Sequence, residues 1–256
     1  CVAVRVWFML WSLLACAEPP PQYWEQALTP PVEGVVRSSM DVSVVSKPLK
    51  IGIVSPGAIA TDGSSLRMEW RGPIGVTRLR WLMSDGAWTM QIPKTQLNLV
   101  AKNADQSLRD VTDGVLGLME FQHAILGQFA WLPEEVVSTL LPLDTPTAVL
   151  ALPKGERLRL ELDDTRKHIA RFAVENAQGE TLLSVHYKTY QARRPISLVL
   201  EIPRFQFTLT MELKGWEPFE ANSKTFVLPA QAPFQTVDME EFWPVLLERL
   251  LQDSRP

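Results

Sequence analysis

The sequence predicts an α+β fold: one long, curved antiparallel sheet, with a short helical cluster set between two runs of strands. Three observations predict it. From Val36 onward, apolar and polar residues alternate with the period of half-buried strands. Turn-forming clusters (Asp62-Gly63, Ser84-Asp85-Gly86, Asp163-Asp164-Thr165 and Ala177-Gln178-Gly179) separate the alternating runs, and links this short require antiparallel neighbours. The alternation stops once, between about Asp105 and Leu143, where the apolar spacing becomes three and four.

Composition sets the outer bounds. The 256 residues carry 25 Lys+Arg against 29 Asp+Glu, a formal charge of −4, with 46% hydrophobic and 21% charged residues. Such a chain is not disordered throughout, because it has the apolar mass to form a core. It lacks the positive surplus of a polybasic nucleic-acid binder. One folded domain is expected from the length.

The first element, residues 1–15, has the parts of a secretory signal: Arg5, then an apolar stretch from Val6 to Ala15 interrupted only by Ser12. That stretch is too short to cross a bilayer core, which needs roughly 20 apolar residues. Because the sequence begins on Cys1 rather than Met, the expectation is that a start codon was misassigned or that a few residues are missing upstream. Leu13-Leu14-Ala15-Cys16 resembles a bacterial lipobox, in which the Cys thiol is lipidated and becomes the new N-terminus. Cys16 is therefore the expected lipidation site, and the covalent lipid anchor is the only non-protein group expected. The alternative is an ordinary secretory signal with a chance Cys. Cleavage would remove Arg5 alone among the charged residues, moving the charge from −4 to −5, and would leave Cys16 as the single cysteine, so no intrachain disulfide is expected. Residues 16–35 contain a proline-rich stretch that favours extended conformations and is expected to act as a tether. An acidic body does not favour electrostatic docking on an anionic membrane, so the lipid would do the anchoring.

In the body, residues 36–218, the clearest strands follow in order. Leu66, Met68 and Trp70 alternate with Arg67, Glu69 and Arg71. Trp88, Met90 and Ile92 share one face, as do Leu158, Leu160 and Leu162, then Ile196, Leu198, Leu200 and Ile202. Phe205, Phe207, Leu209, Met211 and Leu213 form the last apolar row. Weaker strands are expected at residues 39–46, 49–54, 76–83, 97–102, 147–152, 169–175 and 182–190, giving about 11–12 in all. In the helical cluster Ser107 could cap a helix through Val111, Val115, Leu116, Leu118 and Met119. A second piece runs over 121–129, and a third follows Pro133 through Val136, Val137, Leu140 and Leu141. These helices are the natural cover for the sheet's apolar face. Residues 219–256 form a C-terminal extension: a proline-containing loop, then a helix over about 238–251. Phe242, Val245, Leu246, Leu250 and Leu251 could dock on the sheet, lie on a membrane or grip a partner.

Catalytic patterns are absent from the sequence. There is no phosphate-binding glycine loop, nucleophile elbow or His-Glu-x-x-His. His123, His168 and His186 lack metal-ligand spacing, although His168 and His186 could be cross-strand neighbours. Asp163-Asp164 is expected in a hairpin turn, and Asp110 with Asp113 at a helix start or in solvent. The chain is expected not to be an enzyme, since no nucleophile–base pair is evident. What stands out is apolar mass, including Trp70, Trp81, Trp88, Trp131 and Trp216 with Met68, Met83, Met90, Met119 and Met211. This mass either fills a core or leaves part of the space between sheet and helices open for an acyl chain.

Several strings resemble the LolA/LolB-like superfamily, and its outer-membrane LolB lipoproteins most. Residues 66–90, LRMEWRGPIGVTRLRWLMSDGAWTM, look like that family's strand, Pro-apolar-Gly loop and strand pair. Residues 107–127, ending Ala124-Ile125-Leu126-Gly127, look like its helical stretch, and 209–216 like its final strand and Trp. The resemblance spans roughly 36–218. The second strand departs from it, carrying Ile51, Ile53 and Val54 where an aromatic cluster is expected, and the extension beyond Trp216 is additional. The resemblance implies an unclosed antiparallel barrel with a helical lid. It further implies an outer-membrane lipoprotein that takes lipoprotein or other lipid cargo, with a periplasmic LolA-like carrier as donor, and no nucleic-acid partner. Pro73, Ile74 and Gly75 would form the membrane-contact loop, with Ile74 either held out toward lipid or folded back into the core. Met68, Trp70, Leu79, Trp81, Trp88, Met90, Leu116, Phe207 and Leu209 would line the apolar cavity. Ala17 and Glu18 lack the Asp that retains lipoproteins at the inner membrane in enterobacterial-type sorting. The alternative role is a structural or assembly lipoprotein whose partner binds an edge strand or the C-terminal helix.

Overall fold

A computed structural model describes residues 23–31, 34–46, 51–72, 74–84, 86–101, 105–106, 109, 112, 114–152, 155–222, 224–229 and 235–238. Cys16, Pro73, Ser107, Val111 and the expected helix after Asp238 lie outside the described residues.

The alternating runs form two six-stranded meanders. The first comprises β1 (Val36–Ser46), β2 (Ile51–Thr61), β3 (Leu66–Arg71), β4 (Thr77–Ser84), β5 (Ala87–Ile92) and β6 (Leu97–Ala101). The second comprises β7 (Thr147–Ala151), β8 (Arg157–Leu162), β9 (Ile169–Glu175), β10 (Thr181–Gln191), β11 (Arg194–Ile202) and β12 (Phe207–Leu213). The meanders join where β1 pairs with β12, Val42 opposite Met211 and Val44 opposite Leu209. Two short strands, β13 (Glu217–Pro218) and β14 (Gln235–Asp238), complete one sheet in the order β14-β6-β5-β4-β3-β2-β1-β12-β11-β10-β9-β8-β7, with β13 beside β1. The pairing does not close: β7 and β14 are the two ends. This is the unclosed, mostly antiparallel barrel-like sheet that was expected. Among the described residues the expected 11–12 strands become 14, because β13 and β14 are too short for period-two alternation to register.

Registers place one apolar row across both meanders. On β1, Met40, Val42 and Val44 face the same way as Leu209, Met211 and Leu213 of β12, and the row continues through Leu198, Leu200, Val185, Phe172 and Leu160. All these side chains are buried. β2 runs seven residues past its expected end at Val54. Ser55-Pro56-Gly57 carries turn chemistry, yet β1 holds it extended, with Met40 opposite Gly57. A Cβ at Gly57 would lie 2.3 Å from the Glu69 carbonyl oxygen, so only glycine permits this close pairing.

The inner face of the second meander is covered by the helical insert. Among the described residues three helices have defined limits, α1 (Tyr23–Leu28), α2 (Leu118–Ile125) and α3 (Glu134–Leu140), and Asp105, Gln106 and Arg109 are also helical. Val115 to Gly117 are not helical, so the first expected helix breaks before Leu118, where α2 begins. There the Glu120 carboxylate accepts from the Gly117 N–H at 3.0 Å and Asp105 from the Leu118 N–H at 2.8 Å, satisfying two orphan donors. α1 corrects the picture of an extended tether. Trp24 is fully buried and its indole donates to the Thr145 carbonyl at 3.1 Å, while the Tyr23 ring lies under Arg166.

The C-terminal extension also docks, on the outer face. Arg67 of β3 donates to the carbonyls of Lys224 and Thr225 at 3.1 and 2.9 Å, and Gln91 of β5 to that of Pro229 at 3.2 Å. β14 then pairs in parallel with β6, Thr236 opposite Asn98, and covers an edge that would otherwise be open.

Candidate lipid-binding face and loop rim

The candidate site is the inner face of the first meander, and register alone assembles it. Met68 of β3 pairs with Trp81 of β4, Trp70 with Leu79, Trp81 with Met90 and Met83 with Trp88. Phe207 and Leu209 reach the same face across β12 and β1. Eight of the nine residues expected to line a cavity therefore share one face of one sheet. The ninth, Leu116, lies off the sheet in the segment entering α2 and is fully buried. Sequence reading passed over Met40, Val42 and Val44, which sit at the centre of this face. Their alternation with Ser39, Asp41, Ser43 and Val45 was the available signal.

Burial along this face is uneven. Leu66 and Met83 are fully buried at the helical end, and Leu79, Ile92 and Leu97 are buried at the opposite end. Trp70, Ile202 and Phe207 at that opposite end are only partly buried, as is Trp88 beside Met83. The helical end is closed by α2, which touches both meanders. His123 lies beside the Gly63 backbone in the β2–β3 turn, and the Tyr187 hydroxyl of β10 donates to the Ala124 carbonyl. Burial holds the His123 imidazole below the usual histidine range, against the opposing pull of the Gly63 backbone and Glu120. The Tyr187 hydroxyl is pushed well above the ordinary tyrosine value by burial, so it stays a neutral donor.

At the open end stands the β3–β4 loop. The Gly72 N–H donates to Val76 at 2.8 Å and the Gly75 N–H to Gly72 at 2.9 Å. Gly75 has φ +78°, which a residue with a Cβ adopts at a cost, and this tight turn holds Ile74 outward with 87% of its surface exposed. Of the two placements open to Ile74, the structure has the outward one. Val76 is exposed beside it, and Val54 and Val45 are exposed on the outer face of the neighbouring β1–β2 hairpin. Exposed Arg71, Arg78, Lys94 and Arg204 belong to the same end of the strands.

The three histidines do not converge. His186 pairs with Arg171 across β9 and β10, and His168 stacks on Tyr190 with ring centroids 4.4 Å apart. Among the described residues no group of three His, Cys, Asp or Glu could hold a metal ion, and no helix is long and apolar enough to cross a membrane. Asp163 accepts from the Lys167 N–H and the Thr165 hydroxyl, both at 2.9 Å, as a turn residue does.

One signal escaped sequence reading altogether. Ile92-Pro93-Lys94-Thr95-Gln96 and Ile202-Pro203-Arg204-Phe205-Gln206 close the last hairpin of each meander. Both are 3₁₀ turns that end on a left-handed Gln, φ 54° and 44°. The Ile-Pro-x-x-Gln string marks the two meanders as structural counterparts.

Known proteins were compared with the chain in sequence and in structure. No family model matches it, and neither does any curated protein. It is similar in structure to a LolA superfamily protein from Nitrosomonas europaea, at 11% identity over 83% of this chain and 99% of that one, TM-score 0.48. It is similar to a candidate outer membrane lipoprotein-sorting domain from Vibrio parahaemolyticus, at 10% identity over 80% and 93% of the chains, TM-score 0.47. A DUF1329 family protein from Desulfovibrio piger aligns at 10% identity over 86% and 100%, with the same TM-score of 0.47.

Proposed function

We propose that this chain is a lipid-anchored lipoprotein of the outer membrane, facing the periplasm, that binds acyl chains of lipoproteins or other lipids on the inner face of its first meander and assists their transfer to the membrane. The observation that carries this reading is the apolar face itself: eight of its expected lining residues share one side of the sheet, and Trp70 and Phe207 are only partly buried at the end where Ile74 stands exposed. Each acyl CH₂ brought onto such a face contributes about 0.8 kcal/mol, so binding requires no catalytic group and the chain acts as a non-enzyme. Ile74, with Val76 beside it, touches the bilayer. Arg71 and Arg78 flank that loop and favour an anionic lipid surface there, although the whole chain is acidic. Cys16 carries the anchor, and a periplasmic LolA-like protein delivers the cargo.

The test is native mass spectrometry of the Cys16→Ser protein isolated from cells, followed by organic extraction. A stoichiometric adduct of lipid mass, lost on extraction, is the expected result. A bare protein mass together with no uptake of added acyl ligands would overturn the reading. A second reading, an assembly lipoprotein with a protein partner, is favoured by one observation: β7 is the free end of the sheet and presents exposed Val149. Lys substitutions along β7 would abolish capture of that partner and leave lipid uptake unchanged.

A further inference from the structure

Six tryptophans fall among the described residues, and their indole N–H groups divide cleanly. Trp24 donates to Thr145, Trp131 to Gln128 and Trp216 to Pro195, at 3.1, 3.0 and 2.8 Å. The indole nitrogens of Trp70, Trp81 and Trp88 are buried and have no acceptor. These three run diagonally across neighbouring strands β3, β4 and β5 on the inner face, with Trp81 and Trp88 stacked at 4.8 Å. Trp81 is only 7% exposed. Their cross-strand partners Leu79, Met83 and Met90 offer at most thioether sulfur, a weak acceptor. A buried donor left without an acceptor is costly, and native proteins hold few of them. Three adjacent ones on the single face proposed to take lipid call for an acceptor that arrives with the ligand.

We propose that Trp70, Trp81 and Trp88 form a donor set for the carbonyl oxygens of acyl esters or amides, so that the site selects acylated lipids over hydrocarbons and alkyl ethers of the same length. Hydrocarbon burial supplies the affinity and is blind to the linkage. The indoles supply the discrimination, because an ether ligand leaves their N–H groups as unpartnered as before. The proposal rests on the acyl-binding reading and names the chemistry that the same face recognises.

The test is calorimetric titration of the delipidated full chain with 1-decanoylglycerol and with 1-O-decylglycerol, which differ by one carbonyl. The ester is expected to bind about tenfold tighter, the worth of one net hydrogen bond. In a Trp70→Phe/Trp81→Phe/Trp88→Phe variant the ester-to-ether affinity ratio is expected to fall to about one, whatever happens to the affinity common to both ligands, and a cooperative thermal melt reports that the variant is folded. Equal binding of ester and ether to the unmodified chain overturns the proposal and leaves the acyl-binding reading standing. A preference that survives in the triple variant places the donors elsewhere and likewise overturns it. Binding of neither ligand overturns both.

Discussion

The two meanders share strand number, pairing and closing turn, yet their interiors are built differently. In the second, Phe172 is fully buried against Phe129 and Trp131, with ring centroids 5.8 and 6.0 Å away. Every aromatic polar group there has a partner: Tyr187 on Ala124, Tyr190 on Ile169, Trp131 on Gln128 and Trp216 on Pro195. In the first, the face is rich in methionine and tryptophan, Trp70 and Trp88 are only partly buried, and three indole N–H groups lack acceptors. The difference teaches that one half serves as the stable platform and the other keeps an adaptable surface, because Met side chains repack at low cost whereas a satisfied aromatic cluster does not.

Truncation separates the halves most strongly. Phe172→Ala should cost about 3–5 kcal/mol, whereas Leu79→Ala, near the Ile74 loop, should cost about 2 kcal/mol. Urea denaturation of both variants measures the gap, and equal losses would break the comparison. Removing single donors should sharpen it. Trp216→Phe is expected to cost about 1–2 kcal/mol, since its N–H bond to Pro195 is lost and the carbonyl is left buried, while Trp81→Phe should cost less because no bond is broken.

Acid should loosen the link between the halves. His123 is held below its ordinary value of 6.5 in the fold, so the unfolded chain takes up protons first. Stability is then retained above about pH 6.5 and falls as pH drops through that value toward the folded pKa. Thermal melts between pH 7 and 5 should show the loss, with a shallower slope in His123→Asn. Unchanged slopes would mean that α2 does not depend on a neutral His123. The smallest stability effect belongs to Ile74→Glu, within about 0.5 kcal/mol because the side chain is exposed. Its vesicle binding, followed by flotation, should nevertheless fall.

Much of the architecture was legible because strand periodicity is a local property. Ile169–Glu175 and Leu66–Arg71 match their expected limits, since alternation and flanking turns coincide there. The expected strand over 49–54 falls short of β2, because alternation stops at Pro56 and Gly57 and only pairing with β1 shows these extended. α1 was hidden among prolines, and Trp24 is buried through a contact 121 residues away. The cavity-lining set was readable as one face, but which of its side chains are covered was not. Exposure depends on what covers a strand, and that cover comes from the distant insert and extension.

The sequence by itself determined which residues share a face, that the sheet is antiparallel, and that a helical insert divides it in two. Each follows from side-chain direction along a strand and from the length of the links. The tertiary structure alone decided that β1 meets β12, that Ile74 points outward, that residues 224–229 strap the outer face, and that three indoles have no acceptor while three others do. Those outcomes depend on which distant groups come within hydrogen-bonding reach, and local pattern carries no record of that.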